Sequence, residues 1–183
     1  MSALKRMFEV EGLVMEGFNI RFAEEKDTAV ILELIRGIAE YEKLSDQVEA
    51  TEELLKEWIF DKQGAEALLV ETEGQTVGFA LFFHNFSTFT GRCGLYLEDL
   101  FVKPEFRGRG YGIALLRKLA QIAVERKYGR FEWVCLDWNA PSIKLYRSIG
   151  AVPMDEWTIY RLSGDALKNF ADGKTADSEP AEK

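Results

Sequence analysis

The sequence predicts an α+β domain in which a mixed, mostly antiparallel sheet carries helices on both faces. Two apolar runs, residues 67–70 and 77–83, flank a Glu-Gly-Gln turn and are typical of a β-hairpin. An amphipathic run over about residues 110–127 then separates a strand at 95–102 from another at 131–136. Because a crossover helix joins parallel strands and short turns join antiparallel ones, the second to fourth strands are antiparallel and the fourth and fifth parallel.

The remaining elements follow from alternation, helix caps and periodicity. Residues 16–22 alternate and predict the first strand. Asp27 can cap the first helix, and the apolar side chains of that helix share one face: Val30, Ile31, Leu34, Ile35 and Ile38. Thr51 begins a second, shorter helix. A helix over residues 141–149 and a final strand over 157–162 complete the predicted order.

The length and composition fit a single domain. A chain of 183 residues that is 47% hydrophobic can bury one full core. We expect this domain at residues 16–165, because the first predicted strand begins directly after Met15. Residues 1–15 are then an N-terminal extension that need not belong to the native start. Residues 166–183 form a C-terminal segment, whose polar tail is expected to be disordered because it buries too little apolar surface.

Charge and cysteine content narrow the choice of partners. The net charge of −8 disfavours nucleic acid, which requires basic patches, and suits a small cationic molecule. No apolar run reaches the length of a membrane span, and no stretch has the layout of a signal peptide. Cys93 and Cys135 lack the close spacing of a zinc or disulfide framework, which indicates a reduced, cytoplasmic setting. The single histidine, His84, is expected to be a strand residue, and no metal site is predicted.

The most informative segment is the glycine-rich turn at residues 107–112, Arg-Gly-Arg-Gly-Tyr-Gly. It lies between an apolar strand and an amphipathic helix, so backbone N–H groups gather at one point. These N–H groups and the helix dipole favour an anion, and Arg107 and Arg109 add positive charge beside it. The turn is therefore predicted to hold a phosphorylated cofactor. The alternative is a glycine-rich turn with solvated arginines.

The glycine spacing separates the classes of phosphate site. Gly108, Gly110 and Gly112 fall at G-x-G-x-G, whereas a dinucleotide fingerprint requires G-x-G-x-x-G. A triphosphate-binding loop requires Gly-Lys-Ser/Thr, but Ile113 and Ala114 follow the last glycine. The remaining pattern, R-x-x-G-x-G at the start of a helix, resembles the acetyl-CoA pyrophosphate loop of the GNAT superfamily of N-acetyltransferases.

Two further patches extend the resemblance to about residues 16–165. Residues 96–102 and 138–146 match the family in order and spacing around the glycine turn. Arg21 and residues 39–43 make the chain similar to the spermidine/spermine and diamine N-acetyltransferase branch. The resemblance implies a cofactor cleft where the fourth and fifth strands splay apart, a homodimer, and acetyl-CoA as co-substrate without a metal.

The resemblance also assigns residues to the cofactor. Backbone groups of Leu100, Phe101 and Val102 would pair with the pantetheine arm. The diphosphate would be wrapped by the turn and the start of the following helix: Arg107, Gly108, Arg109, Gly110, Tyr111, Gly112 and Ile113. Asn139, a suitable N-cap, would contact the same arm, with Ser142 nearby.

Three residues are implied in the chemistry. By resemblance, Tyr146 stands near the thioester sulfur as the general acid, and a core tyrosine with a bonded hydroxyl is the alternative. Glu98 and Asp99 are adjacent acids in an apolar strand, where a regular pleat cannot direct both inward. Either a bulge re-aims one of them, as the resemblance favours, or they face different layers. We assign Glu98 to the attacking amine, directly or through water, and Asp99 to the distal ammonium of the substrate. A structural ion pair with an arginine is the alternative.

The resemblance gives further substrate residues and an activity. Tyr41 and Glu42 end the first helix, where the branch closes over its amine, and Phe89 and Glu156 lie near other substrate positions. The expected enzyme is an acetyl-CoA-dependent N-acetyltransferase. In it, the primary amine of a polyamine, diamine or lysine-like molecule attacks directly in a ternary complex. A protein or peptide amine, an aminoglycoside-type drug, and a non-catalytic acyl-CoA sensor are the alternatives left open.

Overall fold

The computed structural model describes residues 9–10, 13–14 and 17–174. The first two of these ranges form a short antiparallel pair within the predicted N-terminal extension, most of which lies outside the described residues. The end of the predicted disordered tail also lies outside them. The chain divides into two compact units, Met1–Val134 and Cys135–Lys183, and each is described by itself.

The first unit contains a five-stranded sheet in the order β1–β2–β3–β4–β5. The strands are Phe18–Phe22 (β1), Glu66–Thr72 (β2), Gln75–Ser87 (β3), Arg92–Val102 (β4) and Phe131–Trp133 (β5). Strands β1 to β4 pair antiparallel, and β4 pairs with β5 in parallel. These directions confirm the α+β fold predicted from the hairpin and crossover patterns.

The first four of the five helices begin close to the predicted positions. They are Thr28–Glu42 (α1), Glu52–Leu55 (α2), Tyr111–Glu125 (α3), Ala140–Ser148 (α4) and Gly164–Ala171 (α5). The predicted cap of α2 is confirmed, because Thr51 Oγ1 accepts from the Leu54 N–H at 3.2 Å. A wider helical segment, Lys56–Asp61, continues α2. Among the described helices, none has the length and apolar content needed to cross a membrane.

The end of the chain differs from the prediction. β5 stops at Trp133 instead of residue 136, and the chain then enters a turn closed by the Asn139 N–H and Leu136 O at 2.9 Å. The predicted strand at residues 157–162 is wrong, since this segment is irregular. Alternation specifies an extended backbone, but a strand also requires a pairing partner. Helix α5 follows it and was not predicted.

Two helices cover opposite faces of the sheet. On one face, α1 belongs to a buried cluster: Ile31, Leu34, Ile59, Ala67, Leu69, Phe79 and Phe101. On the other face, α3 contacts β2, β3 and β4. At the start of α3, the ring of Tyr111 meets that of Phe18 edge to face, with ring centroids 5.5 Å apart. The helices therefore hold the end of β4 and the glycine turn in fixed positions.

Asp27 stands at the N-cap position of α1, but its carboxylate makes other contacts. The Arg21 guanidinium donates to both of its oxygens, at 2.6 and 2.9 Å, and to Glu71 at 2.9 Å. The Glu24 N–H donates to the same carboxylate at 2.8 Å. The predicted side-chain cap is therefore wrong. Arg21 lowers the pKa of Asp27 and ties β1 and β2 to the start of α1.

Candidate active site

Glu98 and Asp99 lie in a bulge of β4. Leu97 pairs with Phe82 and Asp99 with Leu81, so Glu98 has no partner on β3. In a bulge two residues oppose one, and the local twist re-aims their side chains. The structure therefore confirms a bulge at the two acids.

Glu42, Glu98 and Asp99 form an acidic cluster that joins the end of α1 to the bulge. The pKa of Asp99 is raised to about 6, mostly by burial and in smaller part by the negative charges of Glu98 and Glu42. Burial also raises the pKa of Glu42. Within residues 17–174, no lysine or arginine forms an ion pair with any of the three. The arginine pair considered as the alternative is absent from this range, so no ion pair there neutralises the negative charge of the cluster.

β4 extends beyond its parallel partner and has an unpaired edge. β5 pairs with β4 only over Leu95–Leu97, and no other strand of the described chain pairs with the remainder on that side. The Lys103 N–H donates to β3 at 2.9 Å. Since backbone groups alternate along a strand, those of Phe101 also face β3, whereas those of Leu100 and Val102 face the unpaired edge.

The glycine turn has the geometry of an anion site. Gly108 and Gly110 adopt φ of 75° and 82°, which residues with a Cβ rarely adopt. The Ala114 N–H donates to Gly110 O at 3.0 Å, so the N–H groups of residues 111–113 have no acceptor within α3. A Cβ built on Gly108 or Gly112 would meet no atom within 4 Å. The turn therefore combines N–H groups that have no acceptor within α3 with open space beside two of its glycines, an arrangement that suits a diphosphate.

Arg107 reaches from the turn to a predicted substrate residue. Its Nε donates to Val102 O at 3.0 Å. Its guanidinium lies 4.6 Å from the ring centroid of Tyr41 and 5.5 Å from that of Phe101. The sequence did not predict this contact, because no periodic pattern relates positions so distant along the chain.

Arg109 and Tyr111 make contacts with other residues. The Arg109 guanidinium lies 5.1 Å from the ring centroid of Phe106, and its Nη2 donates to Glu105 O at 3.3 Å. Tyr111 is only 8% exposed and its ring contacts β1. The side chain of Tyr111 is therefore not available to an anion at the turn, whereas its backbone is.

In the second unit, α4 carries the other predicted group of residues. The Asn139 side-chain oxygen accepts from the Ser142 N–H at 3.4 Å, with Pro141 in the first turn. Tyr146 lies four residues after Ser142 and therefore on the same face of α4. The predicted cap is confirmed. The cofactor contacts of Asn139 and Ser142, and the acid role of Tyr146, stay predictions.

Two predicted substrate residues lie in exposed turns. Phe89 is 96% exposed between β3 and β4. The paired residues Ser87 and Arg92, which end this hairpin, are about 20 Å along the strands from the bulge at Asp99. Glu156 is exposed in a turn of the second unit. The structure therefore does not bring Phe89 to the acidic cluster of its own chain.

The sheet, the glycine turn and the acidic cluster together define an N-acyltransferase. A family model described as "Acetyltransferase (GNAT) family" matches residues 31–151, and the chain belongs to this family.

Individual relatives agree with the family. The thialysine N-epsilon-acetyltransferase of Sus scrofa is 40% identical over 164 residues, covering 83% of this chain and 96% of that protein. The spermidine/spermine N(1)-acetyltransferase-like protein 1 of Homo sapiens is 33% identical over 168 residues, covering 86% of this chain and 24% of that protein. An integron cassette protein from the mobile metagenome of V. cholerae has a TM-score of 0.70 and 26% identity, with coverage of 86% and 99%. These similarities confirm the predicted superfamily, branch and enzyme class.

Proposed function

We propose that this acetyltransferase transfers the acetyl group of acetyl-CoA to a primary amine of a small cationic molecule. The observation that carries the proposal is the acidic cluster of Glu42, Glu98 and Asp99 at the bulge where β4 becomes unpaired. Carboxylates attract ammonium groups, and the adjacent strand edge offers backbone groups to an acyl carrier. Donor and acceptor would therefore meet at one place on β4.

The coenzyme is proposed to bind along the glycine turn and the strand edge. Its diphosphate would accept from the N–H groups of the turn, with Arg107 and Arg109 adding charge. Its arm would pair with Leu100 and Val102, the residues whose backbone groups face the edge. The backbone of Phe101 was expected to take part, but it faces β3 and is left out of this proposal. Asn139 and Ser142 keep their proposed place beside the arm.

The amine must lose a proton before it attacks. A primary aliphatic amine has a pKa of about 10.4, so its deprotonation at neutral pH costs about 4.6 kcal/mol. We assign this proton to Glu98, directly or through water, and the distal ammonium to Asp99 and Glu42. The amine nitrogen then bonds to the acetyl carbon, and the Leu100 N–H donates to the oxyanion. The carbon–sulfur bond breaks as the nitrogen, which becomes the amide nitrogen, releases its second proton to water. Tyr146 protonates the departing thiolate, and water later returns a proton to Tyr146.

The substrate proposal combines the acidic cluster with the name of a relative. Thialysine, which gives its name to the relative from Sus scrofa, carries a terminal primary amine and a second ammonium group. The three carboxylates of the cluster match a molecule with more than one positive charge. This charge match also fits spermidine and diamines, so the name of the relative decides the order, and we propose a lysine-like amine as the preferred acceptor, ahead of spermidine and diamines.

The assembly is proposed from the family resemblance alone. We propose a cytoplasmic homodimer whose substrate site receives residues from both chains, without a nucleic-acid or membrane partner. Phe89 lies beyond the paired residues Ser87 and Arg92, which are about 20 Å along the strands from the bulge of the same chain. It therefore fits the proposal only as a contributor to the site of the other chain, and Glu156 stays a proposed substrate contact.

A panel of amines tests the proposed function. Purified protein receives acetyl-CoA and one amine at a time, and thiol detection follows the release of coenzyme A. The panel contains thialysine, lysine, spermidine, putrescine, a peptide with a free N-terminus, and kanamycin. Thiol release with small amines alone supports the proposal. A preference for the peptide or kanamycin would contradict the acceptor class, and coenzyme binding without turnover would indicate a sensor.

A further inference from the structure

The side chain of Arg107 donates a hydrogen bond to a strand carbonyl and at the same time covers the face of an aromatic ring. Its Nε donates to Val102 O at 3.0 Å. Its guanidinium lies 4.6 Å from the ring centroid of Tyr41 and 5.5 Å from that of Phe101. Both distances are within the range of a cation–π interaction. The side chain thus links the glycine turn, the end of β4 and the end of α1.

Both groups that Arg107 contacts, the carbonyl of Val102 and the ring of Tyr41, would bind a substrate in the proposed function. The carbonyl of Val102 faces the unpaired edge of β4, where the coenzyme arm would pair. Tyr41 adjoins Glu42 of the acidic cluster, and its ring face would attract the ammonium group of a cationic amine. The guanidinium of Arg107 therefore stands where groups of both substrates would bind.

On the basis of the proposed function, we propose that Arg107 gates the binding of the amine. While Arg107 rests on Val102 O and Tyr41, the ring face is closed to an ammonium group. When the coenzyme enters, its diphosphate draws the guanidinium to the turn, because a charge-assisted hydrogen bond to phosphate is stronger than one to a neutral carbonyl. Bound coenzyme therefore raises the affinity for the amine.

Arg109 provides a matched comparison. It belongs to the same turn, is exposed like Arg107 and carries the same charge. Its guanidinium lies over Phe106, and its Nη2 donates to Glu105 O at 3.3 Å. Neither of these partners belongs to α1 or to the acidic cluster. Loss of Arg109 therefore removes charge beside the diphosphate without releasing Tyr41.

Calorimetry with coenzyme A and thialysine tests the gate. Coenzyme A has no acetyl group to transfer, so the binding of thialysine can be measured without turnover. The measured quantity is the Kd of thialysine without coenzyme A divided by its Kd at saturating coenzyme A. We expect this ratio to be about five or more in the unaltered protein. In Arg107→Ala the ratio falls to about one, with tight binding in both states, because the ring is always open. In Tyr41→Leu it also falls to about one, with weak binding in both states.

Arg109→Ala completes the test. This variant should bind coenzyme A more weakly and keep the ratio of the unaltered protein. A ratio near one in the unaltered protein, or an unchanged ratio in Arg107→Ala, overturns the gate. Either result is compatible with acetyl transfer to small amines, whereas absence of thiol release in the amine panel is a separate failure of the proposed function.

Discussion

Asp99 in the bulge of β4 is half-buried and lies near the carboxylate of Glu42, the last residue of α1. Burial contributes most to the shift that brings the pKa of Asp99 to about 6, and the charges of Glu98 and Glu42 add to it. The carboxyl group therefore changes its charge within the physiological range of pH. Both the activity and the stability of the protein should respond to this titration.

The activity should depend on the protonation of Asp99. Below about pH 6 this residue becomes neutral and attracts an ammonium group less, so kcat/KM for the amine should fall as the pH drops through that value. Glu42→Gln removes a charge that raises this pKa, so the midpoint should move to lower pH. Profiles of kcat/KM from about pH 5 to 8 measure it. Glu40→Gln, at an exposed position of the same helix, is the control. An unmoved midpoint in Glu42→Gln would contradict the coupling.

The same titration predicts a more stable variant. Folded Asp99 has a pKa of about 6, against about 3.9 when unfolded, so the folded state loses stability as the pH rises between these values. Asp99→Asn should therefore raise the free energy of unfolding at neutral pH by on the order of 2 kcal/mol, while amine turnover falls. Urea unfolding at neutral pH and at about pH 4 measures the gain, which should nearly vanish in acid. Equal gains at both pH values would indicate that a change in packing, and not the removal of a charge, stabilises the variant.

The fold was largely predictable because its signals are local. Alternation and helical periodicity report which face of an element is buried, and the hairpin and crossover then fix the strand directions. The failure at residues 157–162 has the same origin, because a local pattern carries no information about a pairing partner. Asp27 shows a second limit. Its carboxylate was predicted to cap α1, and only the folded structure shows that the Arg21 guanidinium binds it.

The site was predictable in its parts and less so in their combination. Two adjacent acids in an apolar strand signalled an irregular pleat, but the pairing of Asp99 with Leu81 was needed to identify the bulge. The glycine spacing predicted an anion site, which stays a prediction. The contact of Arg107 with Tyr41 joins residues whose approach depends on the packing of α1 on the sheet. No feature of either local sequence indicates that contact.

The ion pair of Arg21 with Asp27 should stabilise the fold at neutral pH and not in acid. Arg21 lowers the pKa of this largely buried carboxylate, so its contribution is present above the unfolded value of about 3.9 and is lost as the pH falls through the folded pKa. Asp27→Asn should lower the free energy of unfolding at neutral pH by about 2 kcal/mol. Glu25→Gln breaks an exposed pair with Lys56 and should cost less than about 1 kcal/mol. Urea titrations measure the free energy of unfolding of both variants. Similar losses in the two would show that the ion pair of Asp27 contributes no more than an exposed one.

Tyr146→Phe tests the general acid proposed on α4. If the hydroxyl protonates the thiolate, its loss should lower kcat about 100-fold or more and leave coenzyme affinity nearly unchanged. Thiol release gives kcat, and calorimetry with coenzyme A gives the affinity. Tyr160→Phe, in the same unit of the chain, should change neither quantity. Comparable losses in kcat and affinity for Tyr146→Phe would assign the hydroxyl to binding.

Gly108→Ala separates the role of the glycine turn in binding from its role in folding. Gly108 has φ of 75°, and Gly91, in the turn between β3 and β4, has φ of 63°. A Cβ at either position meets no atom within 4 Å, so both substitutions should cost about 1–2 kcal/mol of stability through backbone strain alone.

Only the first substitution places a methyl group where the diphosphate would approach the N–H groups. Gly108→Ala should therefore weaken coenzyme A binding about tenfold or more, whereas Gly91→Ala should leave it unchanged. Calorimetry gives the affinities, and urea unfolding verifies that the two variants are equally destabilised. If both variants lost affinity together, strain in the fold would explain the effect, and the glycine turn would no longer be required as the diphosphate site.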